Sequence, residues 1–166
     1  MRLYEHEAKV ILRSRGAPVP EGQLLGSIDE LKGLSYPIVL KGQTLIGRRG
    51  KAGLIRSVNS AAEAQANMTE ILKGRVDEYR VQGVLAEEKV HVTKEYYVAA
   101  TIDRVRHRPL LIASSSGGIE VEEIAQSYPQ SIHRTYLEPG ERMEPYIGRE
   151  IASLIGLRGF PLRCAT

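Results

Sequence analysis

The stretch YPIVLKGQTLIGRRGKAGLIRSV, residues 36–58, places two apolar runs on either side of a basic, glycine-rich loop. The runs IVLK and LIRSV have the length and the β-branched content of strands. The glycines between them allow the backbone to turn sharply. We therefore predict an antiparallel hairpin in which strands at 38–41 and 54–58 are joined by the loop 47–53.

This loop has the composition of an anion-binding segment. Glycines let backbone N–H groups approach an anion closely, and Arg48, Arg49 and Lys51 supply positive charge. Lys41 ends the preceding strand, which is a rigid position from which to direct an ammonium group. The loop lacks the spacing and the Lys-Ser/Thr pair of a P-loop. Composition alone favours the other interpretation, a solvated hairpin tip.

The remaining chain alternates helix signals with strand signals in an irregular order. The pattern predicts strands at 79–90, 94–104 and 108–116, a further strand over SIHRTYL, and helices at 4–14, 60–73 and 145–155, with SIDE at 27–30 as a capping box that opens a short helix. The short link DRVRHR joins the strands at 94–104 and 108–116 as an antiparallel hairpin. The order of the elements favours an α+β fold over regular βαβ alternation. The change from mixed elements to mostly strands predicts two lobes with a boundary near residue 90.

Composition and charge exclude several classes of protein. The chain has 166 residues, is 42% hydrophobic and 26% charged, and carries a net charge of +3. No apolar run is long enough to cross a bilayer, and the N-terminus lacks a signal-peptide pattern, so we expect a cytoplasmic protein that binds no membrane. The single cysteine excludes a disulfide framework and a cysteine-rich zinc site, and the histidines lack ligand-like spacing.

Two glutamates lie beside predicted strands. Glu87 closes one strand and Glu95 opens the next. A carboxylate at a strand end can accept hydrogen bonds from a ribose or from a purine amino group. On composition alone, the simpler interpretation that both carboxylates face solvent is favoured. The segment SGGIEVEEIA, a predicted glycine turn followed by an acidic stretch, could be a mobile loop that faces an anion. Its own glutamates argue against a direct phosphate contact, so a simple connecting loop is the favoured interpretation.

Together these segments resemble a known family. LYEHEAKVILRSRGAPVPEG, VLKGQTLIGRRGKAG, VLAEE, VTKEYYVAATIDR, ASSSGGIEVEEIA and GREIASLIGL occur in the order seen in the β subunits of succinyl-CoA synthetase. The similarity runs from Leu3 to Leu157. It implies an ATP-grasp fold, with residues 20–90 as a small nucleotide-covering lobe and residues 1–19 plus 91–166 as the start of the second lobe.

The resemblance also implies roles for individual residues. In such β subunits a lysine matching Lys41 contacts nucleotide phosphate, and a Gly-Arg-Gly tripeptide, here Arg48, Arg49 and Gly50, lies over the nucleotide. A glutamate matching Glu87 lies at the hinge that holds the adenine and ribose, and one matching Glu95 also contributes to the nucleotide pocket. This sequence departs from the family in two places near the loop, since arginine replaces the first glycine and TLI replaces the usual His-Ala.

Similar proteins convert a carboxylic acid, CoA and ATP or GTP into acyl-CoA, nucleoside diphosphate and phosphate. The phosphohistidine that carries the phosphoryl group belongs to the partner α subunit. The family's Mg²⁺ ligands and its CoA-ligase domain follow at positions beyond residue 166. We therefore expect no metal ligand within this sequence, a truncated ATP-grasp, weak nucleotide affinity and no turnover by the isolated chain.

Three other interpretations stay open from the sequence. The chain could be an interaction fragment that associates with an α subunit or with itself, which a nucleotide-induced shift of melting temperature would test. It could belong to a related ligase that acts on another acid, such as malate or acetate. A nucleic-acid module built on the arginine-rich loop is disfavoured because the chain has one phenylalanine and no tryptophan. That module would show steeply salt-dependent binding.

Overall fold

The computed structural model describes residues 2–118, 129–140 and 143–159. The chain divides into two compact units, Met1–His91 (unit 1) and Val92–Thr166 (unit 2). Both combine helices with antiparallel sheet, so the predicted α+β fold is confirmed. In the part of the chain that is described, no helix has the length and apolar character needed to span a bilayer. Most of the predicted acidic connection, residues 119–125, lies outside the described residues.

Unit 1 is built around a four-stranded antiparallel sheet with the order β1-β6-β2-β3. Its elements in chain order are α1 (Glu5–Ser14), β1 (Gly22–Leu25), a 3₁₀ turn (Ile28–Leu31), β2 (Ile38–Gly42), β3 (Ile55–Val58), α2 (Ala61–Lys73), β4 (Arg75–Val76), β5 (Tyr79–Arg80) and β6 (Val84–Glu88). β4 and β5 form a separate two-stranded hairpin. The core lies between the sheet and α2, which buries Ala64, Met68 and Ile71.

The hairpin predicted from residues 36–58 is confirmed. β2 and β3 pair antiparallel, with Ile38 opposite Val58 and Lys41 opposite Ile55. The residues of β2 alternate between buried and half-buried positions, so Leu40 enters the core while Lys41 lies on the other face. The position of Lys41 on a paired strand fixes the base of its side chain beside β6.

The boundaries of α2 follow its capping residues. Ser60 Oγ accepts a hydrogen bond from the Glu63 N–H at 3.3 Å, as the serine of a capping box does. The Glu63 carboxylate, however, accepts from the Asn59 N–H at 2.8 Å, one residue before the expected donor. Gly74 is the C-cap residue, where the backbone becomes extended, and a Cβ there would lie 2.3 Å from Leu54 Cδ2 and 2.9 Å from the Ile71 carbonyl oxygen.

Two strand predictions in unit 1 need correction. The predicted strand 79–90 is split into β5 and β6, because the backbone N–H of Val81 bonds to the Gly74 carbonyl while that of Gln82 bonds to the Gln43 carbonyl. The two halves therefore pair with different neighbours. β1 was not predicted, since its four residues GQLL contain a single buried side chain, Leu25.

Unit 2 contains a three-stranded antiparallel sheet and one described helix. Its elements are β7 (Tyr97–Asp103), β8 (Arg108–Ser114), β9 (Ile132–Tyr136) and α3 (Pro145–Leu154), and the sheet order is β7-β8-β9. The predicted β7–β8 hairpin is confirmed. Ile147 and Ile151 of α3 pack against Ala113 of β8.

The division into units differs from the predicted division at the N-terminus. Residues 1–19 group with unit 1, whereas the sequence placed them in the second lobe. In unit 1, Glu5 of α1 forms ion pairs with Lys41 of β2 and with Arg49 of the glycine-rich loop. The lobes of the complete family fold, 20–90 against 1–19 plus 91–166, stay a prediction.

Candidate functional site

The sheet of unit 1 brings Lys41 and Glu87 together on one face. Val39 lies opposite Glu87 in the register of β2 and β6, so Lys41 and Glu87 are diagonal neighbours. Lys41 Nζ lies 2.5 Å from Glu87 Oε2. The Glu87 side chain is 2% exposed, and a carboxylate this deeply buried requires compensating charge.

Helix α1 adds two more charges to this face. Glu5 and Lys9 are one helical turn apart and lie 3.3 Å from each other. Glu5 Oε1 accepts from Lys41 Nζ at 3.0 Å, and Lys9 Nζ forms an ion pair with Glu87. The helix therefore places the Glu5 carboxylate against Lys41 of β2 and the Lys9 ammonium against Glu87 of β6.

The glycine-rich loop contributes Arg49. Its Nη2 lies 2.7 Å from Glu5 Oε2, and its Nη1 donates to the Gly42 carbonyl at 3.3 Å. We call Glu5, Lys9, Lys41, Arg49 and Glu87 the charge cluster. With three cations and two carboxylates, the cluster carries a formal charge of about +1 when all five groups are ionised at neutral pH.

The cluster shifts the pKa of Glu5 and that of Lys9 in the same direction. Partial burial raises the pKa of Glu5, but the adjacent Lys41 and Arg49 outweigh burial and lower the pKa to about 2. Burial lowers the pKa of Lys9, and the nearby Lys41 lowers it further against the attraction of Glu5. Glu5 is therefore ionised throughout the physiological range.

The other residues predicted from the loop lie apart from the cluster. Arg48 Nη2 contacts Asp77 Oδ2 at 2.6 Å, in an ion pair whose side chains are more than half exposed. Arg48 has a φ of 62°, in the left-handed region that favours glycine. The Gly50 carbonyl accepts from the Gly53 N–H at 3.0 Å within the loop turn.

Gln43 links α1 to the end of β2. Its side chain is almost fully buried, and its Oε1 accepts from the backbone N–H of His6 at 3.2 Å. That N–H belongs to the first turn of α1, where backbone donors have no partner within the helix. Gln43 Nε2 donates to the Lys41 carbonyl at 3.0 Å. Gln43 thus caps α1 from the sheet.

Glu95 lies in unit 2, just before β7. Its backbone carbonyl accepts from the Gly117 N–H at 3.1 Å, and a Cβ added to Gly118 would lie 3.1 Å from its Oε2. These contacts place the Glu95 carboxylate beside the turn that follows β8.

The structure thus brings together three of the six predicted site residues, Lys41, Arg49 and Glu87. Sequence reasoning missed Glu5, Lys9 and Gln43, which complete the same region. The sequence does contain one signal for two of them. Glu5 and Lys9 are four residues apart on α1, a spacing that places both side chains on the same face of the helix. Chemically, the Lys41 ammonium and the Arg49 guanidinium converge on two oxygens of one anion, an arrangement suited to a carboxylate or a phosphate.

A search against family models matches residues 2–163 to the ATP-grasp domain. The chain is 37% identical over 161 residues to the succinate–CoA ligase [ADP-forming] β subunit of Staphylothermus marinus, covering 95% of this chain and 42% of that protein. It is 34% identical over 163 residues to the [GDP-forming] β subunit of Thermus thermophilus, covering 96% of this chain and 43% of that protein. The chain therefore spans less than half the length of these relatives.

Solved structures give the same fold. PH1788 from Pyrococcus horikoshii superposes with a TM-score of 0.70 at 23% identity, over 91% of this chain and 63% of that one. A dinucleotide-forming acetyl-coenzyme A synthetase from Ca. Korarchaeum cryptofilum superposes with a TM-score of 0.65 at 19% identity, over 93% and 66%. The predicted ATP-grasp fold is confirmed.

Proposed function

Because the chain belongs to the ATP-grasp family, we propose that unit 1 binds the phosphates of a nucleoside triphosphate, ATP or GTP, through Lys41 and Arg49. The observation that carries this proposal is the convergence of both cations on the two oxygens of Glu5, at 3.0 and 2.7 Å. Arginine and lysine at such distances form charge-assisted hydrogen bonds to phosphate oxygens. Lys41 lies on the paired strand β2 and Arg49 lies on a hydrogen-bonded turn, so both cations are positioned in the absence of a ligand.

The other predicted residues complete the proposed site. Arg48 and Gly50 lie on the loop that would cover the phosphates, and Arg48 would exchange Asp77 for a phosphate oxygen. Glu87 would accept hydrogen bonds from the base and ribose, and Glu95 of unit 2 stays a predicted contributor to the nucleotide pocket. In the structure, Lys9 of α1 and Lys41 of β2 together compensate the buried Glu87 carboxylate.

For the complete protein we infer a β subunit of an acyl-CoA ligase that activates succinate or a related acid. The relatives named as succinate–CoA ligase β subunits support this inference. In that reaction the α subunit would carry the phosphohistidine, and this chain would contribute nucleotide binding and stabilisation of the charge that develops during phosphoryl transfer. Mg²⁺ would accompany the nucleotide. Within the described ranges no three His, Cys, Asp or Glu side chains are grouped to hold a metal ion, so we assign no Mg²⁺ ligand there.

Calorimetric titration with Mg-ATP tests the nucleotide site. We expect weak but measurable binding by the parent chain and at least about a tenfold loss in Lys41→Ala, because a charge-assisted contact to phosphate is removed. Lys32→Ala is the matched control, since Lys32 also belongs to unit 1 but pairs with the exposed Asp29. Equal affinity of the parent and Lys41→Ala, or no binding by the parent, would refute the proposal.

A second candidate function is an interaction module that binds an α subunit or another copy of the chain. β7 favours it, because this strand lies at the edge of the sheet formed by the described residues, and Val98 and Ile102 on one of its faces are 63% and 67% exposed. Val105, at the tip of the β7–β8 hairpin, is 89% exposed. Sedimentation velocity over a range of concentrations tests self-association, and a monomer at all concentrations would leave the α subunit as the partner of this candidate.

A further inference from the structure

Helix α1 is attached to unit 1 with little apolar packing. None of its residues is fully buried, although its sequence is amphipathic. Val10, Ile11 and Leu12 are each about half exposed or more. A cavity of about 180 Å³ opens between Val10 on the helix and Leu24 and Leu85 on the sheet. The cavity shows that the helix does not close against the strands as α2 does.

Polar contacts hold α1 in its place instead. Glu5 and Lys9 join the charge cluster, and the N–H of His6 is capped by Gln43. Because no residue of α1 is fully buried, these polar contacts account for most of its attachment to the sheet. A helix attached in this way can separate from the sheet without opening the hydrophobic core.

The Glu5 carboxylate occupies the place that the proposed function gives to phosphate. Each of its oxygens contacts a different cation, Oε1 with Lys41 and Oε2 with Arg49. If the helix leaves, Lys41 and Arg49 lose this anion. Glu87 stays on the sheet, where its described ion pairs are with Lys41 and Lys9.

We propose that α1 is a displaceable cover over the phosphate-binding cations, and that the Glu5 carboxylate competes with nucleotide phosphate for Lys41 and Arg49. This inference rests on the proposed function and adds regulation to the same site. Docking of α1 and binding of nucleotide exclude each other. The apparent nucleotide affinity is therefore reduced by the fraction of molecules in which α1 is docked.

The first test is calorimetric titration of Glu5→Gln with Mg-ATP. We expect its affinity to exceed that of the parent by about tenfold, because the competing charge is gone while the cations remain. Glu7→Gln is the matched control. It removes the same charge from the same helix, and glutamine can still accept the N–H of Tyr4 that Glu7 caps at 2.8 Å. Its affinity should equal that of the parent.

The second test follows α1 itself by hydrogen exchange. Saturating Mg-ATP should speed exchange of the amides of residues 8–14 in the parent chain, because a helix of 10 residues is marginal once it leaves its docking surface. Exchange in α2 should stay unchanged. This measurement needs no variant, so it decides the inference even if Glu5→Gln fails to fold.

The outcomes separate the inference from the proposed function. Binding by the parent with equal or weaker binding by Glu5→Gln, or α1 exchange that is unchanged or slowed by Mg-ATP, overturns the inference and leaves the nucleotide site standing. Absence of binding by the parent refutes the proposed function, and absence of binding by Glu5→Gln as well overturns the inference with it. Tighter binding by Glu5→Gln together with faster α1 exchange supports both.

Discussion

Replacement of Glu5 by glutamine should flatten the acid dependence of stability. The pKa of Glu5 is lowered from 4.5 to about 2 by Lys41 and Arg49, which overcome the opposing effect of burial. An unfolded chain therefore takes up the proton at higher pH than the folded chain. The stabilisation from Glu5 is fully present above about pH 4.5 and is lost as the pH falls toward 2.

The size of this effect follows from the pKa and from exposure. A shift from 4.5 to about 2 corresponds to at most about 3 kcal/mol. The side chain is still 19% exposed, and solvent screens its ion pairs, so we expect about 1–2 kcal/mol. Glu5→Gln should lose about this much stability at pH 7.

Urea unfolding between pH 7 and pH 3 measures the effect. The free energy of unfolding of the parent should fall more steeply below pH 4.5 than that of Glu5→Gln, whereas Glu7→Gln should follow the parent. Parallel curves for the parent and Glu5→Gln would show that the ion pairs to Lys41 and Arg49 do not stabilise the folded state. The variant should thus be less stable and yet bind nucleotide more tightly.

Two further predictions concern the residues around the cluster. Gln43→Leu should lower the free energy of unfolding by about 1–3 kcal/mol in urea titrations, because the N–H of His6 loses its acceptor inside the protein; an unchanged midpoint would contradict the cap. Arg48→Gly should change the free energy of unfolding by less than about 1 kcal/mol, because glycine adopts the left-handed φ without strain and this gain offsets the lost ion pair with Asp77. Arg48→Val should destabilise the protein by more than about 1 kcal/mol, because it loses the same ion pair and keeps the strain. Equal melting temperatures of the two Arg48 variants would refute the strain argument.

The fold was predictable where local signals agreed. The β2–β3 hairpin combines an apolar strand, a glycine-rich loop and a second apolar strand within residues 36–58, so its pairing is local. β1 was missed because its pairing with β6 is distant in sequence, as the Gly22–Glu87 register shows, and because its four residues carry only one buried side chain. No local pattern specifies such a pairing.

The same distinction explains which site residues were found. Lys41 and Arg49 were accessible from the sequence because they belong to the hairpin and its loop. Glu5 and Lys9 were not, because a charged helix face usually indicates solvent. Only the folded chain shows that this face meets Lys41 and Glu87, whose positions are set by the β2–β6 register. Burial of Glu87 likewise follows from this register and not from the local motif VLAEE.

The strand order β1-β6-β2-β3 has a consequence for how unit 1 forms during translation. β6 is the last of these four strands to be synthesised, yet it lies between β1 and β2. A nascent chain that has emerged only through α2 can form the β2–β3 hairpin and pack α2 on it, while β1 has no strand to pair with. The charge cluster is also incomplete at that stage, since Glu87 belongs to β6. The sheet is therefore completed in one late step, when β6 (residues 84–88) pairs with β1 on one side and with β2 on the other. The rate of this step depends on contacts between residues that are distant in sequence.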